Sequence, residues 1–460
     1  MAYTPPAPPR PAEGVYDDGA RMGAAQILRA VRDLGKNPLT IWSDRYYREP
    51  VVSLRFLGRD IVLVSDPRLA RQVLVTDADS YRFSAIRQAV FQPILPGGLL
   101  TDEGELWAKT RRALTPVFTP RHVRGFAPVM ARIAAEREGR LEAEVDATEL
   151  ALDLTLDILL GCLFPPDAPL DRARFFADVE GVLTHGGTPH PLDIVAAPPA
   201  VPRWGRGPLK RHVASLRAQV ARIREAHDGE DGTDLLSLLM RAGRAEGEPL
   251  TPTQVDDNLL TFLLAGHETT ARSVAWTLAL LSEAEDAREA VEAELDAAEL
   301  DGTDPADWQA ALPVLTATIR ESLRLYPPAS HLSRTATAPV RICERDYPKG
   351  TSVAVSSWLV HRHEANWDEP GAFRPERFAG PDAHRRNDAY LPFGMGPRVC
   401  IGASFAMQEL VIVLATLLRR HRFALRGAMP VPVMRVTLVP DAPLVMAVTD
   451  RLQAAPAAAS

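Results

Sequence analysis

Residues 393–402 read Phe-Gly-Met-Gly-Pro-Arg-Val-Cys-Ile-Gly, and no other stretch narrows the possible folds as far. A single cysteine, Cys400, ends a tight glycine-rich loop directly before an apolar run with helical spacing, Ala403 to Leu418. Gly394 and Gly396 allow backbone angles that a side chain forbids, and Pro397 stiffens the return. Cys400 then sits near a helix N-terminus, where the dipole and unpaired N–H groups favour a negative sulfur. Arg398 offers a fork of donors to a carboxylate. Such a loop aims one thiolate at a metal. The plainer reading, a buried cysteine after a surface turn, leaves the ten-residue pattern unexplained.

The longest helical pattern starts at Thr251-Pro-Thr-Gln254, a capping box with proline at the first helical position, and runs to about Glu283. Helical spacing also marks Ala20 to Leu34, a stretch ending near Tyr47, Asp66-Pro67 to Val75, Glu103 to Thr115, and residues 122–143, 147–164, 171–184, 209–227, 233–242, 284–298 and 312–325. Val51 to Phe56 and Ile61 to Ser65, around Gly58-Arg59, predict a hairpin; Met434 to Val439 and Leu444 to Thr449 predict two closing strands. Ser84 to Leu100, broken by Pro93, Pro96, Gly97 and Gly98, reads as an apolar loop suited to lining a pocket. Residues 185–208, rich in Pro, Gly and apolar side chains, predict a mobile lid rather than a domain linker. The expectation is a mainly α chain with a small β-rich region: one domain over 15–452, between a flexible proline-rich arm, 1–14, and a C-terminal tail, 453–460.

Charge and cysteine usage limit the function classes. The 52 Lys and Arg against 59 Asp and Glu give a net −7, which argues against a partner held through phosphates and so against nucleic acid. Cys162, Cys343 and Cys400 are too few and scattered for a disulfide framework, which points to a reducing compartment. Met1 to Pro11 is proline-rich rather than apolar, and later apolar runs such as Leu259 to Ala265 meet charges too soon to span a bilayer. The expected protein is soluble and cytoplasmic, with no integral membrane anchor.

Several short constellations carry chemistry. Ala265-Gly-His-Glu-Thr-Thr270 puts a glycine in mid-helix, at a cost of about 1 kcal/mol against alanine, beside an acid and a hydroxyl. Ala265 and Thr269 share a helix face, so a flat ligand there meets a small residue, a gap and a hydroxyl, and a mid-helix threonine loosens its turn. His267-Glu268 resembles the start of a His-Glu-x-x-His zinc helix, but residue 271 is alanine. Trp107 and Arg111 stand at i and i+4 on one face. Glu321 and Arg324 form an i, i+3 pair that Arg377 could join. His361 and His363 have the types of metal ligands, but no third ligand lies nearby and the pair reads as structural.

Together these stretches resemble the cytochrome P-450 family of haem-thiolate monooxygenases. Trp107-x-x-x-Arg111, Ala265-Gly-x-Glu-Thr-Thr270, Glu321-x-x-Arg324, Pro375-Glu-Arg-Phe378 and Phe393-x-x-Gly-x-Arg-x-Cys-x-Gly402 occur in the family's order. The resemblance implies a triangular helical prism built around the long helix at about 251–283, and bound haem b with Cys400 as the axial ligand of its iron. By the same resemblance Phe393 shields the sulfur; Trp107, Arg111, Arg334 and Arg398 hold the propionates; and Ala265, Gly266 and Gly402 lie against the cofactor. Thr269 and Glu268 hold O2 and relay protons to it, while Glu321, Arg324 and Arg377 form a structural triad. The pocket implied over Phe91, Ile94, Leu264, His331 and Leu332 suits a hydrophobic substrate such as a fatty acid, terpenoid or carotenoid, with His331 available to a polar end group.

With about 60 residues after Cys400 and no flavin or iron–sulfur segment, electrons are expected from NAD(P)H through a separate ferredoxin or flavodoxin and its reductase. Arg112, Arg121, Arg124, Arg419 and Arg420 are candidates for a basic docking patch. Alternatives are a haem-binding carrier or sensor without turnover, and a peroxide-driven or isomerase variant of the same scaffold.

Overall fold

A computed structural model describes residues 2–13, 15–16, 24–56, 59–186, 190–194, 201, 203–227, 232–244, 247–380, 383 and 388–451. The helices are α1 (Ala24–Lys36), α2 (Pro67–Arg71), α3 (Ala85–Phe91), α4 (Gly104–Leu114), α5 (Pro120–Arg124), α6 (Ala127–Glu138), α7 (Ala147–Leu163), α8 (Arg172–Gly186), α9 (Pro191–Ile194), α10 (Gly207–Ala226), α11 (Leu235–Arg241), α12 (Pro252–Glu283), α13 (Glu285–Ala297), α14 (Trp308–Ala311), α15 (Pro313–Leu325), α16 (Ser357–Val360) and α17 (Ala403–Arg420). The strands are β1 (Val51–Phe56), β2 (Arg59–Val64), β3 (Tyr81–Phe83), β4 (Glu144–Asp146), β5 (Leu332–Ala336), β6 (Val340–Ile342), β7 (Arg345–Tyr347), β8 (Ser352–Val355), β9 (His421–Leu425), β10 (Pro432–Met434), β11 (Leu438–Pro440) and β12 (Val445–Asp450).

The 32-residue helix α12 is the axis of the fold, packing along α7 and against α10, α15 and α17. Its first turn is closed by the capping box, with Thr251 Oγ1 accepting from Gln254 N at 3.3 Å and Gln254 Oε1 from Thr251 N at 2.9 Å. Its C-terminal half is buried, and Trp276 stacks on Tyr326 at 4.1 Å while Nε1 donates to Leu438 O at 3.0 Å. Five strands form a sheet in the order β1-β2-β8-β5-β3, in which β2 runs parallel to β8 with Ile61 opposite Ser352. A three-stranded sheet, β4-β12-β9, closes the other β region.

Glu321 and Arg324 on α15 are fully buried and paired bidentately at 2.7 Å. Arg324 also donates to the carbonyls of His361 at 2.7 Å, Pro370 at 2.8 Å and Ala372 at 2.9 Å, and Glu321 accepts from Arg374 N at 2.8 Å. Arg377 Nε lies 3.5 Å from Glu321 Oε1. His361 donates from Nδ1 to Arg324 O and accepts at Nε2 from Leu391 N, both at 2.9 Å. Both ring nitrogens are therefore spent on the backbone and neither is open to a metal, while His363 Nδ1 accepts from Ala365 N at 3.2 Å.

The structure departs from the sequence expectations in five places. Ser84–Leu100 contains α3, because Ser84 caps a helix by accepting from Arg87 N at 3.2 Å. The helix expected over 122–143 is two, α5 and α6, with Pro128 in the first turn of the second and 144–146 drawn into β4. The strand expected over 434–439 is the hairpin β10–β11, closed by Arg435 N donating to Thr437 O at 2.8 Å.

The proline-rich arm is tied down rather than flexible over 2–13: Tyr3 O accepts from Phe373 N at 2.8 Å, and Arg10 pairs with Asp44 at 2.6 Å and stacks on Tyr47 at 3.7 Å. The described part of the expected lid is pinned by buried Asp193, which pairs with Arg203 at 3.0 Å and Arg206 at 2.5 Å. Residues 187–189, 195–200 and 202 of that segment, Ala20 to Gly23 of the first expected helix and the tail 453–460 lie outside the described residues. Among the described residues no helix is long and apolar enough to cross a membrane.

Removing one member of a buried ion pair leaves the other uncompensated. Arg324→Met should therefore lower unfolding stability by about 3–5 kcal/mol. Breaking the exposed α6 pair Arg132–Glu136, 2.7 Å apart, should cost only about 0.5 kcal/mol. Urea midpoints of the two variants test the contrast, and equal shifts would sink it.

Candidate active site

One cavity of about 400 Å³ gathers residues from α3, α4, α12, β5 and the loop before α17. Its floor is the 393–402 loop. Gly394 and Gly396 hold φ of 72° and 76°, and a Cβ on Gly396 would collide with the Leu74 carbonyl, so both positions require glycine. The loop closes on itself through Cys400 N donating to Phe393 O at 2.9 Å, and α17 starts at Ala403 with Gly402 as its cap. Cys400 is exposed to the cavity but enclosed by the loop. Burial pushes its thiol pKa up, opposed by a hydrogen bond from Gly402 N–H and by the positive charge of Arg111.

The wall contributed by α12 carries Leu264, Ala265, Gly266, Glu268 and Thr269. Thr269 Oγ1 donates to Ala265 O at 2.7 Å, the back-bond that loosens a helical turn. Glu268 Oε1 accepts from Thr437 Oγ1 at 2.8 Å and from Arg272 Nη2 at 3.3 Å. His267 turns away from the cavity, its Nε2 bonded to Leu152 O at 2.9 Å, and burial pulls its pKa down to about 4.

Arg111, Arg334, Arg398 and Arg87 line the same cavity. Three of them crowd the ring of Phe83, with guanidinium carbons at 3.5 Å for Arg87, 4.4 Å for Arg398 and 5.2 Å for Arg334. Burial, followed by the charges of Arg334 and Arg398, lowers the Arg87 pKa to about 9; burial and Arg334 lower that of Arg398 to about 10. Arg87 Nη2 donates to Leu100 O at 2.7 Å, whereas Nη1 is buried without a partner among the described residues. Four cations converge here, faced by Glu103 and Asp102, so the cavity suits an anionic ligand. The donor set fits a haem: a thiol at the floor, a glycine gap on the wall and guanidinium groups at the rim.

Of the residues singled out in the sequence, Phe91, Ile94, Leu264, Ala265, Gly266, Glu268, Thr269, His331, Leu332, Arg334, Phe393, Arg398, Cys400, Gly402 and Arg111 all line this cavity. Trp107 does not. It lies beneath Arg398, 3.8 Å from the guanidinium carbon, and fixes that side chain by cation–π contact. Glu321, Arg324 and Arg377 also lie outside the cavity, in the buried network of α15. Sequence reading missed Arg87, hidden in a segment taken for a loop, and Arg272 and Thr437, which hold Glu268. Among the arginines proposed for a docking patch, Arg124 pairs with Asp307 at 2.6 Å, Arg419 with Asp301 at 2.6 Å and Arg420 with Glu138 at 3.8 Å, which removes much of the expected positive face.

The chain is similar to known proteins. The family model described as Cytochrome P450 matches residues 32–446. The carotene epsilon-monooxygenase of Arabidopsis thaliana is 30% identical over 435 residues, covering 88% of this chain and 77% of that protein. The cyclooctat-9-en-7-ol 5-monooxygenase of Streptomyces melanosporofaciens is 30% identical over 429 residues, covering 91% and 92%. A crystal structure of a six-coordinated cytochrome P450 from Thermus thermophilus superposes with a TM-score of 0.66 at 26% identity, covering 87% of this chain and 95% of that one.

The loop geometry is directly testable. Gly302 holds φ 84° with open space around its missing Cβ, so Gly302→Ala should cost only backbone strain, about 1 kcal/mol. Gly396→Ala adds the collision with Leu74 O and should cost clearly more, read as a larger drop in denaturant midpoint. Equal losses would mean that the loop is not held against Leu74.

Proposed function

Because the chain belongs to the cytochrome P450 family, we propose that it inserts one oxygen atom from O2 into a large hydrophobic molecule of the terpenoid or carotenoid kind. The chain is a cytochrome P450 monooxygenase, a haem-thiolate enzyme that depends on O2 and on a redox partner. The observation that carries the site reading is that Cys400, the arginine cluster and the Ala265–Thr269 stretch of α12 share one cavity.

In this reading the prosthetic group is haem b, which would take a thiolate ligand from the chain and supply O2 activation. Cys400 is that ligand, with Phe393 beside the sulfur. Arg111, Arg334, Arg398 and the newly found Arg87 hold the two propionates, with Trp107 supporting Arg398. Gly266 and Gly402 leave room for the flat ring. Glu268 and Thr269 move protons within a cavity walled by Leu264, Phe91, Ile94 and Leu332, which excludes bulk water. Electrons come from NAD(P)H through a separate ferredoxin or flavodoxin and its reductase; with Arg124, Arg419 and Arg420 paired, Arg112 and Arg121 are the cations left to meet an acidic carrier. The substrate class rests on the apolar lining and on the two relatives, whose names specify carotene and cyclooctat-9-en-7-ol.

Reduction under carbon monoxide should give the red-shifted Soret band of a thiolate-ligated haem, and Cys400→Ala should lose it; a variant that keeps the band would refute the ligand assignment. Arg87→Leu should speed transfer of the haem to apomyoglobin about tenfold, the worth of one charge-assisted hydrogen bond. An unchanged transfer rate would remove Arg87 from the propionate site.

A further inference from the structure

A second cavity, about 840 Å³, lies beside the first. It is bounded by α1, the β1–β2 hairpin, β3, β5 and β8; Leu34, Trp42, Leu54, Ile86 and Met434 give it an apolar side, while Arg55, Arg59, Asp60, Arg82 and Lys349 line the rest. Phe83 and His331 line both cavities, so the two spaces are separated by a wall one side chain thick. The first cavity must also hold the prosthetic group, which leaves the second, the larger in volume, as room for the body of a long ligand.

His331 stands in that wall without a hydrogen bond to any described residue. Its Nδ1 is buried and unpartnered, and its ring stacks on Trp42 at 6.3 Å with an interplanar angle of 22°. Burial pulls its pKa down to about 4, so the ring is neutral at pH 7 and carries one donor and one acceptor nitrogen. No carboxylate appears among the causes of that shift, and its neighbours in the wall are Leu332, Phe83 and the Ser84–Ser333 hydroxyl pair at 2.7 Å, which satisfies itself. A buried imidazole nitrogen without a partner is costly unless a ligand uses it. A hydroxyl, on an otherwise apolar ligand, can serve either nitrogen of a neutral imidazole, donating to one or accepting from the other.

We propose that the substrate is an elongated apolar alcohol whose terminal hydroxyl is hydrogen-bonded by His331 in the shared wall, so that its hydroxyl-bearing end reaches the first cavity and its chain lies in the second. This rests on the monooxygenase reading of the first cavity. His331 is then a specificity residue that selects for the hydroxyl, and the second cavity selects for length.

Isothermal calorimetry on the haem-loaded enzyme tests it with geraniol, farnesol and geranylgeraniol, and with the saturated hydrocarbon of the longest skeleton. Affinity should rise with length by about tenfold or more from geraniol to geranylgeraniol, as added apolar carbons enter the second cavity. Leu34→Trp and Met434→Trp, two independent plugs of that cavity at half-buried positions, should abolish the rise. His331→Phe should weaken geranylgeraniol about fivefold, the worth of a neutral hydrogen bond, and leave the hydrocarbon unaffected; His331→Gln should restore part of the loss. Equal affinity for all three alcohols, plugs without effect, or equal loss of alcohol and hydrocarbon in His331→Phe would each overturn the proposal. Absence of the thiolate-type carbon monoxide spectrum in the unmodified enzyme would instead overturn the monooxygenase reading, so the two failures are told apart.

Discussion

The arrangement depends on the buried Glu321–Arg324 pair. Each charge is costly to bury alone, and the cost is offset only because every remaining lone pair and proton is met: Arg324 donates to three backbone carbonyls and Glu321 accepts from Arg374 N. Those partners belong to the irregular stretch between α16 and the 393–402 loop, which has no ladder of its own to hold it. His361 extends the network to Leu391 N, two residues before Phe393. The charge pair thus anchors, through a short chain of backbone hydrogen bonds, the segment that positions Cys400. An apolar pair of the same volume could fill the space, but it could not hold a loop by its carbonyls.

The second organising constraint is electrostatic and has the opposite sign. Around Phe83 the protein brings guanidinium groups together and lowers the pKa of Arg87 and Arg398 in doing so, first by burial and then by mutual repulsion. A fold tolerates such a cluster when an anion completes it. Phe83 and Trp107 help by presenting ring faces to the cations, a partial substitute for negative charge. Glu103 is tied to Phe83 N and to Gln88, so it orders the cluster from one side and leaves the cavity side positive. In the proposed reading two propionates would match that residual charge, which would link the packing of β3 and α3 to cofactor retention.

What the sequence made legible were local patterns with a fixed spacing: the capping box at Thr251, the glycines and cysteine of the 393–402 loop, the i, i+3 pair at 321 and 324, and the α12 run from Ala265 to Thr270. Each is written in consecutive or helically spaced residues and survives without knowledge of tertiary contacts. The hidden features are those made by distant segments. Arg87 is unremarkable until α3 forms and sets it against Arg334, far along the chain. Thr437 looks like one residue of a strand until the β10–β11 turn delivers it to Glu268, 169 residues away. The long pattern at 122–143 misled because Gly125 and Pro128 break it only where α17 packs against α5 and α6, and the loop reading of 84–100 failed because four Pro and Gly residues outweighed one serine cap.

The paired acid and alcohol on α12 are not interchangeable, and the hydrogen bonds say why. The Thr269 hydroxyl proton is committed to Ala265 O, so toward the cavity this residue offers lone pairs and acts as an acceptor. A proton passing through Thr269 must therefore come from another donor. Glu268 is held by one oxygen only: both Thr437 and Arg272 bind Oε1, which leaves Oε2 without a partner among the described residues. A carboxyl group fixed at one oxygen and free at the other keeps its place while exchanging a proton, a role that a hydroxyl locked to its own helix cannot fill. Thr437 lies with Val436 in the turn that also forms part of the cavity wall, so the residue that steadies the acid also lines the cavity. The cavity wall and the support of Glu268 thus meet in one short turn, built by a strand break that the amphipathic pattern of 434–439 conceals.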